Sequence, residues 1–164
     1  MKRTELIICT TCRPAGAAPE LPAAGLLLLQ AVQDAQALQS FEASDGSNDT
    51  ASDGASTAAA DFDAGIQVRG IACLSACNRA CTIALQAAGK HTYCFGDLLP
   101  DAETAEHLLA CARLHQHSAD GTLLRKDRPA RLRSGILVRL PPFAVTATAT
   151  ATPTAAAAAA EQLA

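Results

Sequence analysis

Apolar residues fall into short runs whose spacing alternates between the strand period of two and the helix period near 3.6. Thr4 to Cys9 (TELIIC) is a short β-rich run and predicts a first strand. Pro14, Gly16, Pro19 and Pro22 then force a loop. Leu26 to Leu38 carries helix formers, with Leu28, Leu29, Val32 and Ala35 on one face. Ile66 to Cys73 (IQVRGIAC) predicts a second strand, β-branched at Val68 and Ile71, and Cys81 to Gln86 (CTIALQ) a third. Ala88-Gly89-Lys90 is a hairpin turn signal, and His91 to Phe95 follows as a fourth strand. Asp101 caps a helix from about Ala102 to His115, with Leu108, Leu109 and Ala112 as its apolar face. After Gly121 come a loop, Arg128-Pro129, and a short amphipathic stretch ending at Pro141-Pro142.

Two segments lack the pattern. Glu42 to Ala64 mixes Ser, Asp, Gly, Ala and Thr and is acidic, so it is expected to be a flexible insert. The tail from Ala144 to Ala164 repeats Ala-Thr and then runs through Ala, and is expected to be disordered. Residues 1–143 then form one domain, carrying the insert at 42–64. The order β-α-β-β-β-α predicts an α/β, thioredoxin-like domain with a mixed four-stranded sheet. Its first unit should be a right-handed parallel crossover and its second an antiparallel hairpin with a helix.

Composition narrows the function. There are 13 Lys+Arg against 16 Asp+Glu, and this net charge of -3 predicts no general affinity for nucleic acid. Aromatics are scarce and Trp is absent, so the core must come from Leu, Ile, Val and Ala. No apolar run is long enough to span a membrane. Leu6-Ile7-Ile8 is too short for the core of a signal peptide, and a cytoplasmic protein is expected. In a reducing compartment, seven cysteines point to metal binding or redox chemistry rather than to a disulfide framework.

Four of those cysteines fall in two short pairs. Cys9 ends the first strand and Cys12 lies in the loop after it, while Cys73 ends the second and Cys77 lies in its following loop. A parallel crossover puts both strand ends at one edge of the sheet, where α/β folds place their sites. Soft thiolates at such spacing select zinc, copper(I) or iron-sulfur clusters. Cys81 extends the series as Cys73-x3-Cys77-x3-Cys81 and is an alternative ligand.

Cys73-Leu74-Ser75-Ala76-Cys77 resembles the C-L-G-A-C segment of thioredoxin-like 2Fe-2S ferredoxins and of the small flavoprotein-associated subunit of respiratory NADH dehydrogenase. That resemblance implies two of four cluster ligands here and the other two at Cys9 and Cys12. The ferredoxins space their first pair more widely than Cys9 and Cys12. CTTCR at Cys9 to Arg13, CLSACNRAC at Cys73 to Cys81, GKHTYCFGDL at Gly89 to Leu98, and RPARLR followed by RLPP carry a second resemblance. On these motifs the chain is identified as a member of bacterial domain-of-unknown-function family 1636, described as predicted metal-binding proteins.

The expected function is therefore a metal-binding, electron-transfer protein holding a 2Fe-2S cluster. Zinc, a metal-carrier role and a thiol–disulfide oxidoreductase at Cys9 and Cys12 are the alternatives. The intervening prolines set the helix well past Cys12 in sequence, so its dipole is expected to be distant from that thiol. Arg13 and Arg79 flank the cysteine loops as cations beside an anionic cluster. Cys94 and Cys111 are expected to be core packing, and His115-Gln116-His117 a solvated helix end. The basic run from Arg125 to Arg139 is expected to be solvated or paired, with docking of an acidic redox partner as the alternative. A redox or metal-handling protein partner is expected; the oligomeric state is left open.

Overall fold

A computed structural model of the chain describes residues 3–45 and 65–142. Most of the predicted insert and the whole predicted tail lie outside the described residues. Strand β1 (Thr4–Cys9) is followed by helix α1 (Ala24–Asp45), strand β2 (Ile66–Ile71) and strand β3 (Ile83–Gln86). Strand β4 (Thr92–Phe95), helix α2 (Ala102–His117) and strand β5 (Ile136–Leu140) complete the order. Helix α1 takes in Glu42 to Asp45, which the insert was expected to include. Glu42 and Ala43 are good helix formers and extend the preceding helical run.

The sheet order is β2-β1-β3-β4-β5. β1 and β2 pair parallel, from Thr4 opposite Ile66 to Cys9 opposite Ile71. The pairs β1–β3, β3–β4 and β4–β5 are antiparallel. The first four strands thus have the thioredoxin-like order predicted, with both helices packed on one face and on each other.

The fifth strand departs from the expected four-stranded sheet. Ile136 to Leu140, amphipathic by sequence, sits between a turn glycine and two prolines, the punctuation of a short strand. Gly135 holds φ +81, and a Cβ there would lie 2.8 Å from Gly96 O. Glycine is the residue that tolerates both conditions.

Strand alternation sends Leu6, Ile8, Ile83, Leu85, Tyr93 and Phe95 to the helical face. Leu28 and Val32 of α1 and Ala105, Leu108, Leu109 and Ala112 of α2 close over them. Each buried leucine stabilises by about 1.5–3 kcal/mol. The opposite face carries Glu5, whose Oε2 accepts from Gln86 Nε2 at 2.8 Å and from Arg69 Nη2 at 3.3 Å. Cys111 is buried in the core, as expected, and burial pushes its thiol up to about 12. Cys94 is half-buried on β4.

The start of α2 is as predicted: Asp101 Oδ1 accepts from Thr104 N at 2.7 Å. Its end is not. His115 is 0% exposed rather than solvated, and Gln116 is buried beside it. His115 Nε2 donates to His91 O at 2.8 Å, which leaves Nδ1 to accept from the buried Thr4 hydroxyl at 3.1 Å. Lys90 Nζ donates to the His115 and Gln116 carbonyls, placing a cation at the negative end of the helix dipole. The expectation failed because these partners lie on β1 and on the β3–β4 hairpin, far away in sequence. Of the basic run, Arg125, Lys126, Arg133 and Arg139 are exposed, as expected, and two members turn to the protein. Arg128 is buried and donates to Leu132 O, and Arg131 pairs with the capping Asp101 and with Glu103 in the first turn of α2.

Burial of the neutral ring holds the His115 pKa below the ordinary imidazole value, and nearby Lys90 and His91 add to the effect against the opposing pull of the His91 carbonyl. Above about pH 6.5 the ring is neutral in both folded and unfolded chains. Below that, the unfolded chain takes up a proton that the fold excludes. Stability therefore falls on acidification, by up to about 1.4 kcal/mol per pH unit until the folded-state pKa is reached. Denaturant unfolding between pH 7 and 5 should show this decline, with a weaker one in His115→Gln; equal slopes in the two proteins would contradict it.

Candidate metal centre

The parallel register carries Cys9 and Ile71 to the same rim of the sheet, and the chain turns there twice. Two threonines fasten the turns together. Thr10 N donates to Ile71 O at 2.8 Å and Thr10 Oγ1 to the same oxygen at 3.1 Å. Thr11 Oγ1 donates to Ala72 O. The Cys9 turn and the Cys73 turn are thus joined by hydrogen bonds on the residues next to the thiols.

The sulfurs form two pairs at different depths. Cys9 and Cys12 are each 1% exposed, whereas Cys73 and Cys77 are exposed. Cys9 Sγ lies 3.7 Å from Ala72 O and 4.0 Å from Thr11 Oγ1, so it faces the Cys73 loop. Cys12 Sγ lies 3.2 Å from Thr82 Oγ1, at the foot of β3. Cys73 Sγ accepts from Ser75 N at 3.2 Å. Ser75 holds φ +59, the left-handed conformation suited to the glycine of the C-L-G-A-C segment it resembles.

The electrostatics follow this arrangement. Burial raises the Cys9 thiol, but hydrogen bonding with Cys12, Leu74 N–H and Thr11 outweighs it and holds Cys9 below the ordinary thiol value. Cys12 is raised, by burial first and by Cys9 as well, against the opposing effect of Thr82. Cys77 is raised by its hydrogen bond and charge interaction with Cys73, with Cys9 acting at longer range. Cys81 is fully buried and is pushed up to about 11 by burial, then by Cys12 and Cys9. The Cys9–Cys12 turn is joined to the Cys73 loop, and Cys81 adjoins Thr82, which touches Cys12. Among the described residues, no three His, Cys, Asp or Glu side chains are grouped to hold a single metal ion.

The two flanking arginines have protein partners. Arg13 Nη1 donates to Leu21 O at 2.6 Å and to Ala18 O at 3.3 Å, folding the proline-rich loop on itself. Arg79 Nε donates to both carboxylate oxygens of Asp97, at 2.8 and 3.0 Å. Each cation therefore holds a loop of the rim in shape.

Helix α1 corrects the expectation of a distant dipole. The loop after Cys12 returns, and Gly25 N donates to Cys12 O at 3.1 Å. The first turn of α1 packs directly under the cysteine turn. A Cβ on Gly25 would lie 1.9 Å from Cys9 O and 3.2 Å from Cys12 Cβ, so only glycine fits. Gly25 and Thr82 were not singled out by the sequence. Gly25 sits in an ordinary helical run, and Thr82 is distant from Cys12 along the chain.

A family model described as a protein of unknown function (DUF1636) matches residues 39–142. The chain belongs to that family. The DUF1636 match takes in Cys73, Cys77 and Cys81, while Cys9 and Cys12 precede it. No curated protein matches this DUF1636 chain. Among solved structures, a thioredoxin-like 2Fe-2S ferredoxin from Aquifex aeolicus aligns with 87% of this chain and 96% of its own. The identity is 12% and the TM-score 0.45.

Brief alkylation of the folded apoprotein should label Cys73 and Cys77 well before Cys9, Cys12 and Cys81, as read by peptide mass spectrometry. Equal labelling of Cys9 and Cys73 would contradict the two depths. Gly25→Ala should lower stability by about 2–3 kcal/mol through overpacking and speed labelling of Cys9 and Cys12. An unchanged denaturation midpoint would contradict the close packing of α1.

Proposed function

We propose that this DUF1636 protein holds a 2Fe-2S cluster on Cys9, Cys12, Cys73 and Cys77 and serves as an electron-transfer module. The pairing of the thiols supports this reading most directly. Four thiolates hold such a cluster, two on each of its irons. Two neighbouring pairs from two joined turns suit that demand. A structural four-cysteine zinc site also draws on two short cysteine pairs, set around one tetrahedral ion, and metal content separates the two readings.

The donor set suits an iron-sulfur centre. It is all thiol, and Leu74 and Ser75 turn backbone N–H groups toward the Cys9 and Cys73 sulfurs. Such donors offset the negative charge that thiolate ligands bring. When bound, the cluster supplies one-electron oxidation and reduction. Buried Cys9 and Cys12 keep water from one side, while exposed Cys73 and Cys77 present the other to a redox or metal-handling protein partner. Arg13 and Arg79 support the rim by shaping its loops. Cys81 lies behind Cys12 as the alternative thiol.

A second reading, thiol–disulfide exchange at Cys9 and Cys12, draws on the helix start under Cys12 and the lowered Cys9 thiol. It ranks second because both sulfurs are buried, which denies a protein disulfide access.

Anaerobic reconstitution with ferrous iron and sulfide should give a brown protein with about two irons per chain. Single Ser substitutions at Cys9, Cys12, Cys73 or Cys77 should each reduce the iron content or alter the visible spectrum. A colourless chain that takes up one zinc and no iron would overturn the reading. Reduction of a small disulfide, lost in Cys12→Ser, would favour the second.

A further inference from the structure

Thr82 lies one residue before β3 and is buried. Its Oγ1 stands 3.2 Å from Cys12 Sγ, and its carbonyl accepts from Cys9 N at 3.1 Å. One residue thus touches both members of the buried pair, through its backbone at Cys9 and through its side chain at Cys12. Its own place is fixed by the residue before it. Cys81 N donates to Leu98 O at 3.0 Å and Leu98 N to Cys81 O at 3.2 Å.

In the free protein either the thiol or the hydroxyl can donate across the Cys12–Thr82 contact. Metal ligation removes the proton from Cys12, so the hydrogen bond must then run from Thr82 O–H to sulfur. Such a bond draws electron density from the thiolate. It stabilises the more electron-rich, reduced state of a centre ligated there.

We propose that Thr82 is a positioning residue for the metal centre, whose hydroxyl holds Cys12 and raises the reduction potential of the cluster. This rests on the 2Fe-2S reading above and adds a residue that tunes it. Backbone donors serve the Cys9 and Cys73 sulfurs, and Thr82 is the side-chain hydroxyl that serves Cys12. Thr82→Val keeps the branched shape without the hydroxyl, Thr82→Ser keeps the hydroxyl, and Thr82→Ala removes both.

The test is anaerobic reconstitution of the full chain and these three variants, with iron content, visible spectra and potentiometric titration. The Val and Ala variants should load iron and show a reduction potential more negative than wild type, while the Ser variant should lie close to wild type. Failure of both Val and Ala to load, with full loading of Ser, would support the hydroxyl as the holding group. Full loading of Val or Ala with an unchanged potential would overturn the inference and leave the cluster reading standing. Failure of Ser together with Val and Ala would overturn it in favour of a packing role. A wild-type chain that assembles no cluster would overturn the reading on which it rests.

Discussion

The parallel pairing of β1 with β2 is the constraint on which the site depends. It sets Cys9 opposite Ile71 and brings two turns, far apart in sequence, to one rim. Burial of alternate apolar side chains fixes strand register strongly where one face of a sheet is buried. A one-residue slip would turn Leu6 and Ile8 out of the core. The apolar alternation that builds the core therefore also aligns the thiols. Thr10 and Thr11 finish the junction by bonding the first turn to the carbonyls that precede Cys73.

The layers beneath the rim serve the same arrangement. Gly25 lets α1 start in contact with the Cys9–Cys12 turn, so a loop of eleven residues separates the helix from Cys12 in sequence without separating them in space. At the far end of the sheet, His115 and Lys90 tie α2 to β1 and to the β3–β4 hairpin. The result is a graded site, with Cys9, Cys12 and Cys81 inside and Cys73 and Cys77 at the surface. On the proposed reading, such grading would give the cluster one sheltered side and one side open to a partner. Electron transfer requires that access, and a buried structural metal does not.

Local pattern made much of this legible. TELIIC marks β1 to its ends, Asp101 marks the start of α2, and each cysteine pair lies at or just beyond the end of its strand, Cys73 falling two residues past the end of β2. These features depend on neighbours in sequence, such as alternation, a capping side chain or a short turn. What escaped notice depends on partners remote in sequence. His115 reads as a helix-end residue until Thr4 and the His91 carbonyl surround it. Thr82 becomes part of the site through Cys12, seventy positions earlier. Strand β5 escaped because its residues are largely exposed and its pattern is weak at the sheet edge. The distant helix dipole was an error of the same kind, since proline spacing measures chain length and not separation in space.

X-ray absorption at the iron edge of the reconstituted protein tests the central claim most directly. Thiolates from both turns meeting on one paired-iron centre predict an all-sulfur first shell and a second iron as the next scatterer. A lone metal with nitrogen or oxygen neighbours and no iron partner would contradict the account.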